Sequence, residues 1–377
     1  MKLKNHQTVL LFIASIFLIS CKNEPKNTEQ AIEKANNSTI KYAKGFDIQN
    51  FENYTKLTIR TPYQNSTETF EYLLSNENIE SDLITIKTPI EKVVVTSTTH
   101  VPMLELLNIE NKLVGYPNTP FVSSVKTRRL IDEGKVQELG NEENINTELL
   151  LDLNPDLVIG FSVNSNSKMF AIVEKIGVPI VLNGDWLEKT PLGRAEWIKF
   201  FGVLFNKEKE ADSVFKVIEK NYLEAKKIAL NAKEIPTVLA GGLYKDIWNM
   251  PAGDSFEATF LKDANTNYLW KDSKGTGSLA LNIENVFEKG KDADIWISPG
   301  FYATLEDLEK DNLVCAQTKA FKNKTIYSYN NTTGETGGIW YFELSPIRPD
   351  LVLKDLIKIT HPELLPDYEF TFYKKLN

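Results

Sequence analysis

The chain runs to 377 residues, 42% of them hydrophobic and 25% charged, enough to bury a sizeable core and to divide into two lobes. Disorder, collagen and coiled coil are excluded as the main architecture. Lys and Arg number 43 against 51 Asp and Glu, a net charge of −8 with no basic tract, so broad nucleic-acid binding is excluded and polyanions are not expected partners.

Lys2 and Lys4 precede the uncharged apolar run Thr8–Ser20, and Ser20 stands directly before Cys21. The run is too short to cross a bilayer comfortably and reads as a secretory signal over residues 1–20. Leu18-Ile19-Ser20-Cys21 resembles a bacterial lipobox, which implies cleavage before Cys21 and acylation of that cysteine. Losing Lys2 and Lys4 leaves the remainder more acidic, so acyl chains rather than charge must hold it at a membrane, at about 0.8 kcal/mol per buried CH₂. The other cysteine, Cys315, then has no disulfide partner within the chain and reads as a small buried hydrophobe. Residues 21–40 are polar and aperiodic, as a lipidated tether requires.

Residues 41–89 hold Tyr42, Phe46, Phe51 and Tyr54, the alternation Leu57-Thr58-Ile59-Arg60, and then Phe70-Glu71-Tyr72-Leu73-Leu74. Aromatic and β-branched residues at period two, interrupted at Pro62 and Asn65, predict short antiparallel strands. Over residues 90–190 the texture changes to short apolar runs alternating with helical patterns. Val93-Val94-Val95-Thr96 is a strand entering the loop Ser97-Thr98-Thr99-His100, and Pro102–Leu107 has helical spacing. Leu157–Phe161 and Pro179–Leu182 are further strands on either side of a helix over Lys168–Lys175. Such alternation predicts parallel βα units.

Residues 191–233 read as a helix pair. Thr190-Pro191 opens the first, which is expected to stop near Asn206. The second starts near Lys207 and places Ala211, Val214, Phe215, Ile218, Tyr222, Ala225 and Ala229 on one face. Its length of about 25 residues, ~38 Å, outspans one small lobe. Residues 234–377 repeat the βα texture with strands at Val238–Gly242, Asp294–Ser298 and Thr325–Ser328, and close on a helix over Pro349–Ile359.

An internal repeat links the halves. Asn146-Thr147-Glu148 leads through Leu149-Leu150-Leu151 to Asp156-Leu157-Val158-Ile159, and Asn282-Ile283-Glu284 leads through Asn285-Val286-Phe287 to Asp294-Ile295-Trp296-Ile297. Each half carries Asn-X-Glu, a short helix, an Asp and a buried strand, which predicts two similar lobes joined by the long helix.

The residues offer little for catalysis. Beyond the leader only His100 and His361 occur, and no serine sits in a Gly-X-Ser-X-Gly elbow. Gly275-Thr276-Gly277 lacks the third glycine and the preceding strand of a dinucleotide site, and reads as a flexible loop. A bare-metal cage needs more imidazoles than two distant histidines supply, so no protein-held metal is expected. His361 reads as a surface residue after the last helix. His100 lies just past the carboxyl end of a strand, where open α/β sheets bind ligands, and Thr98 and Thr99 lie beside it; for His100 a capping role and ligation both stand.

Aromatic residues follow several strand ends: Phe161, Trp186, Tyr244 and Trp248, and Trp340-Tyr341-Phe342 after the loop Gly334–Gly338. Singly each is as well placed for a core; together they suggest a cleft wall that grips a large planar or greasy ligand. Arginine is scarce, at 60, 128, 129, 194 and 348, and Arg194 and Arg348 are the cleft candidates. Glu148 and Glu284 follow their Asn caps by two residues, where a carboxylate offsets the helix dipole by roughly 0.3–1 kcal/mol.

The lipobox, Val93–Thr99, the block Asn146–Gly160 with its Asn154-Pro155-Asp156-Leu157-Val158-Ile159 core, the linking helix and the Asn282-Ile283-Glu284 block together resemble the class III periplasmic binding proteins of ATP-driven (ABC) importers. The resemblance covers about residues 90–377, with 41–89 as an N-terminal addition. It implies an α/β fold of two Rossmann-like lobes on a rigid backbone helix, little hinge closure, and a ligand in the cleft: a ferric siderophore, haem or a corrinoid such as cobalamin. It also implies that Glu148 and Glu284, one on each lobe, dock to arginines of the permease. Few arginines and many aromatics favour a bulky, modestly charged iron or cobalt chelate, bound without a resident cofactor. Haem would need an axial ligand, with His100 and Tyr244 as candidates.

The expectation is therefore a monomeric, lipid-anchored receptor of the cell envelope, facing the periplasm or the cell surface, that hands a metal chelate to a permease and is not an enzyme. Two alternatives stand beside it. One is a secreted two-lobed transferase or hydrolase using Asp185 or Asp246. The other is a surface lipoprotein that scavenges ligand for an outer-membrane transporter, with 41–89 as its partner interface.

Overall fold

The computed structural model describes residues 39–141, 145–163, 167–245 and 247–377; the leader, Cys21 and Asp246 fall outside them. Strands β1 (Phe46–Asn50), β2 (Thr55–Ile59), β3 (Phe70–Ser75) and β4 (Ile84–Lys87) form a sheet in chain order. The first three are antiparallel, as the alternation predicts, but β4 joins β3 in parallel, with Tyr72 opposite Ile84. Residues 76–83 span up to about 28 Å when extended, enough to carry the chain back past the ~20 Å strand. Phe46, Ile48, Leu57, Ile59, Tyr72, Leu74 and Ile86 point inward and share one core with Val93, Val95, Phe200 and Phe201. The expected addition is thus packed into the body of the first lobe.

That lobe is built on β5 (Val93–Val95), β6 (Leu113–Tyr116), β7 (Gln137–Glu138), β8 (Leu157–Gly160) and β9 (Ile180–Leu182), with helices α1 (His100–Leu106), α2 (Val125–Asp132), α3 (Thr147–Leu153) and α4 (Lys168–Lys175). The strands are all parallel, in the order β7-β6-β5-β8-β9. Alternate residues serve opposite faces: Val93, Val95, Leu157 and Ile159 join the core described above, while Val94 and Val158 pack with Leu139, Leu150, Met169 and Val173. A sheet buried on both faces explains why these strands read as unbroken apolar runs.

Thr190 caps the next segment through a 3.1 Å bond from Gly193 N, with Pro191 in the first turn. The expected single helix to Asn206 is instead two, α5 (Pro191–Glu196) and α6 (Ile198–Leu204), divided at Trp197. A Cβ on Gly202 would lie 2.8 Å from that of Ala211, so glycine is what permits α6 to lie close against α7 (Glu208–Ala229). Helix α7 has 22 residues, about 33 Å. Its apolar stripe is divided between the lobes: Ala211, Phe215 and Ile218 enter the first core, and Tyr222, Ala225 and Ala229 the second. One rod is thereby fixed in two cores.

The second lobe comprises β10 (Thr237–Ala240), β11 (Gly242–Tyr244), β12 (Ile247–Pro251), α8 (Phe256–Asp263), β13 (Asn267–Tyr268), β14 (Ser278–Asn282), α9 (Ile283–Gly290), β15 (Ile295–Ile297), α10 (Leu305–Asp311), α11 (Lys319–Lys322), β16 (Ile326–Ser328), α12 (Trp340–Leu344), α13 (Pro349–Thr360) and β17 (Lys374–Lys375). Its main sheet runs β13-β10-β15-β16-β17, parallel except for β17, and β11-β12-β14 form a small antiparallel sheet. In each lobe the strand order reverses direction beside the first main strand, β5 or β10, so the loops after these strands mark the two topological switch points.

Buried glutamates make two further ties. Glu343, 2% exposed, crosses from the second lobe to accept from Ser123 N (2.6 Å) and Ser124 N (2.9 Å) of the first. Ser123 Oγ also donates to Gly338 O at 2.9 Å, and Thr336 Oγ1 to Pro120 O at 2.7 Å. Residues 336–343 thus strap the lobes together along one edge. At the chain's entry to the body, Glu196 accepts from the amides of Lys41, Tyr42 and Ala43, and Glu188 from those of Lys44 and Gly45. Lys199 Nζ and Trp197 Nε1 complete the two carboxylates at 2.9 and 3.1 Å.

Candidate functional site

Between the switch points lies a cleft of about 1110 Å³. The first lobe contributes Ser97, Thr98, Thr99 and Phe161, and the second Gly241 from the β10–β11 turn with Gly242 and Tyr244 of β11. Gly241 adopts φ +87°, and a Cβ there would lie 2.1 Å from Asn249 O, so only glycine permits this turn at the floor. Phe301, Tyr302, Tyr329, Tyr341 and Phe342 complete an aromatic wall, with Tyr329 and Tyr341 stacked at 3.9 Å between centroids and 7° between planes. Burial raises the phenol pKa of both, so they stand as neutral hydroxyls at physiological pH.

Arg194 of α5 reaches the cleft from between the lobes. Its guanidinium lies 3.7 Å from the Phe256 ring centroid and donates to Trp186 O at 2.8 Å. Burial alone raises the Glu257 pKa, against the pull of Arg194, and Glu257 shares the floor. Behind the arginine Asp185 is 1% exposed, and neither carboxylate oxygen has a hydrogen bond of ordinary geometry. Burial pushes its pKa up to about 6, while the positive field of Arg194 opposes the rise. The floor therefore sets Arg194 beside Glu257, whose charged form burial disfavours, a setting that receives a partly anionic group without a strong field.

Thr98, Thr99, Phe161, Tyr244 and Phe342 line the cleft, and Tyr244 is 69% exposed at its mouth. Five other candidates do not reach it. His100 turns inward at the start of α1, is 0% exposed, and packs 5.7 Å from Phe201; burial lowers its pKa to about 3. It cannot ligate a cleft metal from there. Trp248 stacks on Trp296 at 4.8 Å and donates to Ala240 O, because the β11–β12 hairpin alternates faces and sends Trp248 to the core while Tyr244 points out. Trp186 backs Phe161 at 5.5 Å, and Trp340 packs against the second-lobe core. Arg348 forms paired 2.9 Å bonds with Asp350 at the start of α13.

The residues missed are chiefly Phe301, Tyr329, Phe256 and Glu257. Phe301 follows β15 and Tyr329 follows β16, so the strand-end rule that selects Phe161 would also have found them. Asp185 is enclosed and lines no part of the cleft, which corrects its place in the catalytic alternative; Asp246, the other carboxylate of that alternative, lies outside the described residues. Glu148 and Glu284 are both exposed, each two residues past an Asn cap: Asn146 Oδ1 accepts from Leu149 N at 3.1 Å and Asn282 Oδ1 from Asn285 N at 2.9 Å. His361 is buried at 2%, its Nε2 3.0 Å from Ala264 O, where a surface position is expected. Cys315 is buried and its thiol pKa is pushed up to about 12 by burial. Among the described residues no group of three or more His, Cys, Asp or Glu could hold a metal ion, and no helix is long and apolar enough to cross a membrane.

Two parallel-sheet lobes fixed on one helix, with a cleft between their switch points, define a solute receptor of the class III binding-protein type. The chain belongs to the periplasmic binding protein family, whose model matches residues 93–333. An uncharacterized lipoprotein of Methanocaldococcus jannaschii is 29% identical over 312 residues, covering 80% of this chain and 73% of that protein. A second uncharacterized lipoprotein of the same organism is 27% identical over 400 residues, covering 97% and 99%. Among solved structures, a periplasmic binding protein from Veillonella parvula superposes with a TM-score of 0.61 at 15% identity, over 84% of this chain and 95% of that one. A possible iron-binding periplasmic solute-binding protein from Staphylococcus epidermidis gives 0.58 at 19%, over 73% and 100%. The periplasmic haem-binding protein HutB of Vibrio cholerae gives 0.54 at 16%, over 70% and 99%.

Proposed function

We propose that the chain is a lipid-anchored envelope receptor that captures a metal chelate in the interlobe cleft and delivers it to an ATP-driven importer. The observation that carries this reading is the cleft itself: at about 1110 Å³ it lies just above the range of ordinary ligand pockets, roughly 300–1,000 Å³. Its walls are aromatic and its floor holds Arg194 beside Glu257 and the neutral phenols of Tyr329 and Tyr341. A bulky, modestly charged coordination compound, an iron-siderophore or a corrinoid, suits such a site; a small polyanion does not. The names of the Staphylococcus and Vibrio structures, an iron-binding and a haem-binding protein, point the same way. The lipoprotein names of two relatives agree with the lipobox at Cys21. In this reading Glu148 and Glu284, exposed in the same position of two duplicated helices, meet the permease.

Native mass spectrometry of the protein purified from its own host tests the proposal. The expected result is a co-purifying small molecule containing iron or cobalt; an empty protein, or a metal-free organic ligand, overturns it. Haem in that spectrum would favour the haem reading, with the exposed Tyr244 as the axial candidate now that His100 is enclosed.

A further inference from the structure

A side chamber of about 440 Å³ opens beside the main cleft and shares Ser97, Thr98, Phe161, Phe301 and Phe342 with it. Its far side is formed where the interlobe strap meets the first lobe: Gly337, Gly338 and Ile339 face Asn118 and Phe121. The bonds Ser123 Oγ to Gly338 O and Thr336 Oγ1 to Pro120 O hold these two segments in register. Chemically the chambers differ. The main cleft contains Arg194, Glu257, Lys245 and Asp311, whereas none of the residues lining the side chamber carries a charge.

Two of the nearby hydroxyls are already engaged: Thr96 Oγ1 accepts from Phe161 N at 2.9 Å, and Ser97 Oγ lies 3.0 Å from Thr99 Oγ1. The rings of Phe121, Phe161, Phe301 and Phe342 share the wall with uncharged polar groups such as Thr98 and Asn118, and Phe121 and Phe301 are 61% and 79% exposed. Isolated apolar side chains at a protein surface need no explanation, but several rings converging on one concavity continuous with a ligand cleft do. Aromatic rings recognise another ring by offset or edge contacts, and an ion entering here would meet no opposite charge.

We infer that the side chamber is a subsite for an uncharged aromatic group, and that the cleft ligand is two-part. Its polar, coordinating portion lies over Arg194, and an aromatic arm turns under the strap. This division of the ligand rests on the receptor reading above; the subsite does not.

The uncharged fluorophore N-phenyl-1-naphthylamine, titrated into the purified full chain, tests the subsite. The parent should give a saturable rise in emission. Phe121→Arg, which places a charge in the side chamber alone, should weaken binding at least tenfold. Phe121→Leu should retain it, and Leu230→Arg, at an exposed site on the far end of α7, should leave it unchanged. No saturable rise in the parent, or equal binding by Phe121→Arg, overturns the subsite. The chelate identified by mass spectrometry should displace the fluorophore, and simultaneous binding of both overturns the two-part ligand. An empty parent in the mass spectrum defeats the receptor reading while the fluorophore titration still decides the subsite.

Discussion

His100 carries an imidazole with no hydrogen-bond partner at either nitrogen, enclosed against Phe201. Its folded pKa of about 3 lies below the ordinary value of 6.5, so the stability it contributes is full above pH 6.5 and is lost as pH falls toward 3. By pH 5 the loss amounts to about 2 kcal/mol. His100→Leu should therefore flatten the acid side of the stability profile, read as denaturant midpoints at pH 7 and pH 5, and should leave cleft binding as it is. An unchanged midpoint difference would show that the ring is not held neutral. Asp185 acts in the opposite sense: its raised folded pKa means that stability falls as pH climbs through about 6. The two buried groups thus work against one another across the mildly acidic range.

Among the elements, the strap is the feature with the clearest energetic consequence. A buried carboxylate accepting two amide bonds across a lobe boundary leaves both amides unpaired when it is removed. Glu343→Ala should cost about 2–4 kcal/mol. It should also speed amide exchange at Ser123 and Ser124 by far more than in the parallel strands. Exchange that rises only in step with global stability would deny the strap any local role. Nothing in the sequence signals this contact, because Ser123 and Glu343 are brought together only by the docking of two lobes. Helix α7 was legible for the converse reason: its seam repeats every three or four residues, and both cores use that one seam. The break between α5 and α6 was not legible, since Trp197 keeps helical dihedrals and only the packing around it divides the segment. Site residues follow the same rule. Thr98 and Thr99 were accessible to strand-end reasoning, but whether His100 or Trp248 faces cleft or core depends on a helical turn and a hairpin register that composition does not reveal.

For the whole molecule, two cores share α7 and a strap ties the lobes along one edge, an arrangement that resists hinge closure. In the proposed role, recognition by a permease would then rest on surface groups rather than on closure. The proposed docking role of Glu148 and Glu284 predicts that reversing both charges to lysine abolishes uptake in a reconstituted importer while chelate affinity is preserved; unimpaired uptake would remove them from the interface. Either change alone should weaken transport less than the pair, since each belongs to a different lobe. The duplicated Asn-X-Glu blocks made these positions visible before any coordinates, because the same cap and the same exposed turn recur in both halves.

Glu188 and Glu196 grip the backbone of residues 41–45 beside α5, where Leu192 belongs to one core and Ala195 to the other. A pull on residues 41–45 would therefore be received at the waist between the two cores, with no leverage to pry the halves apart.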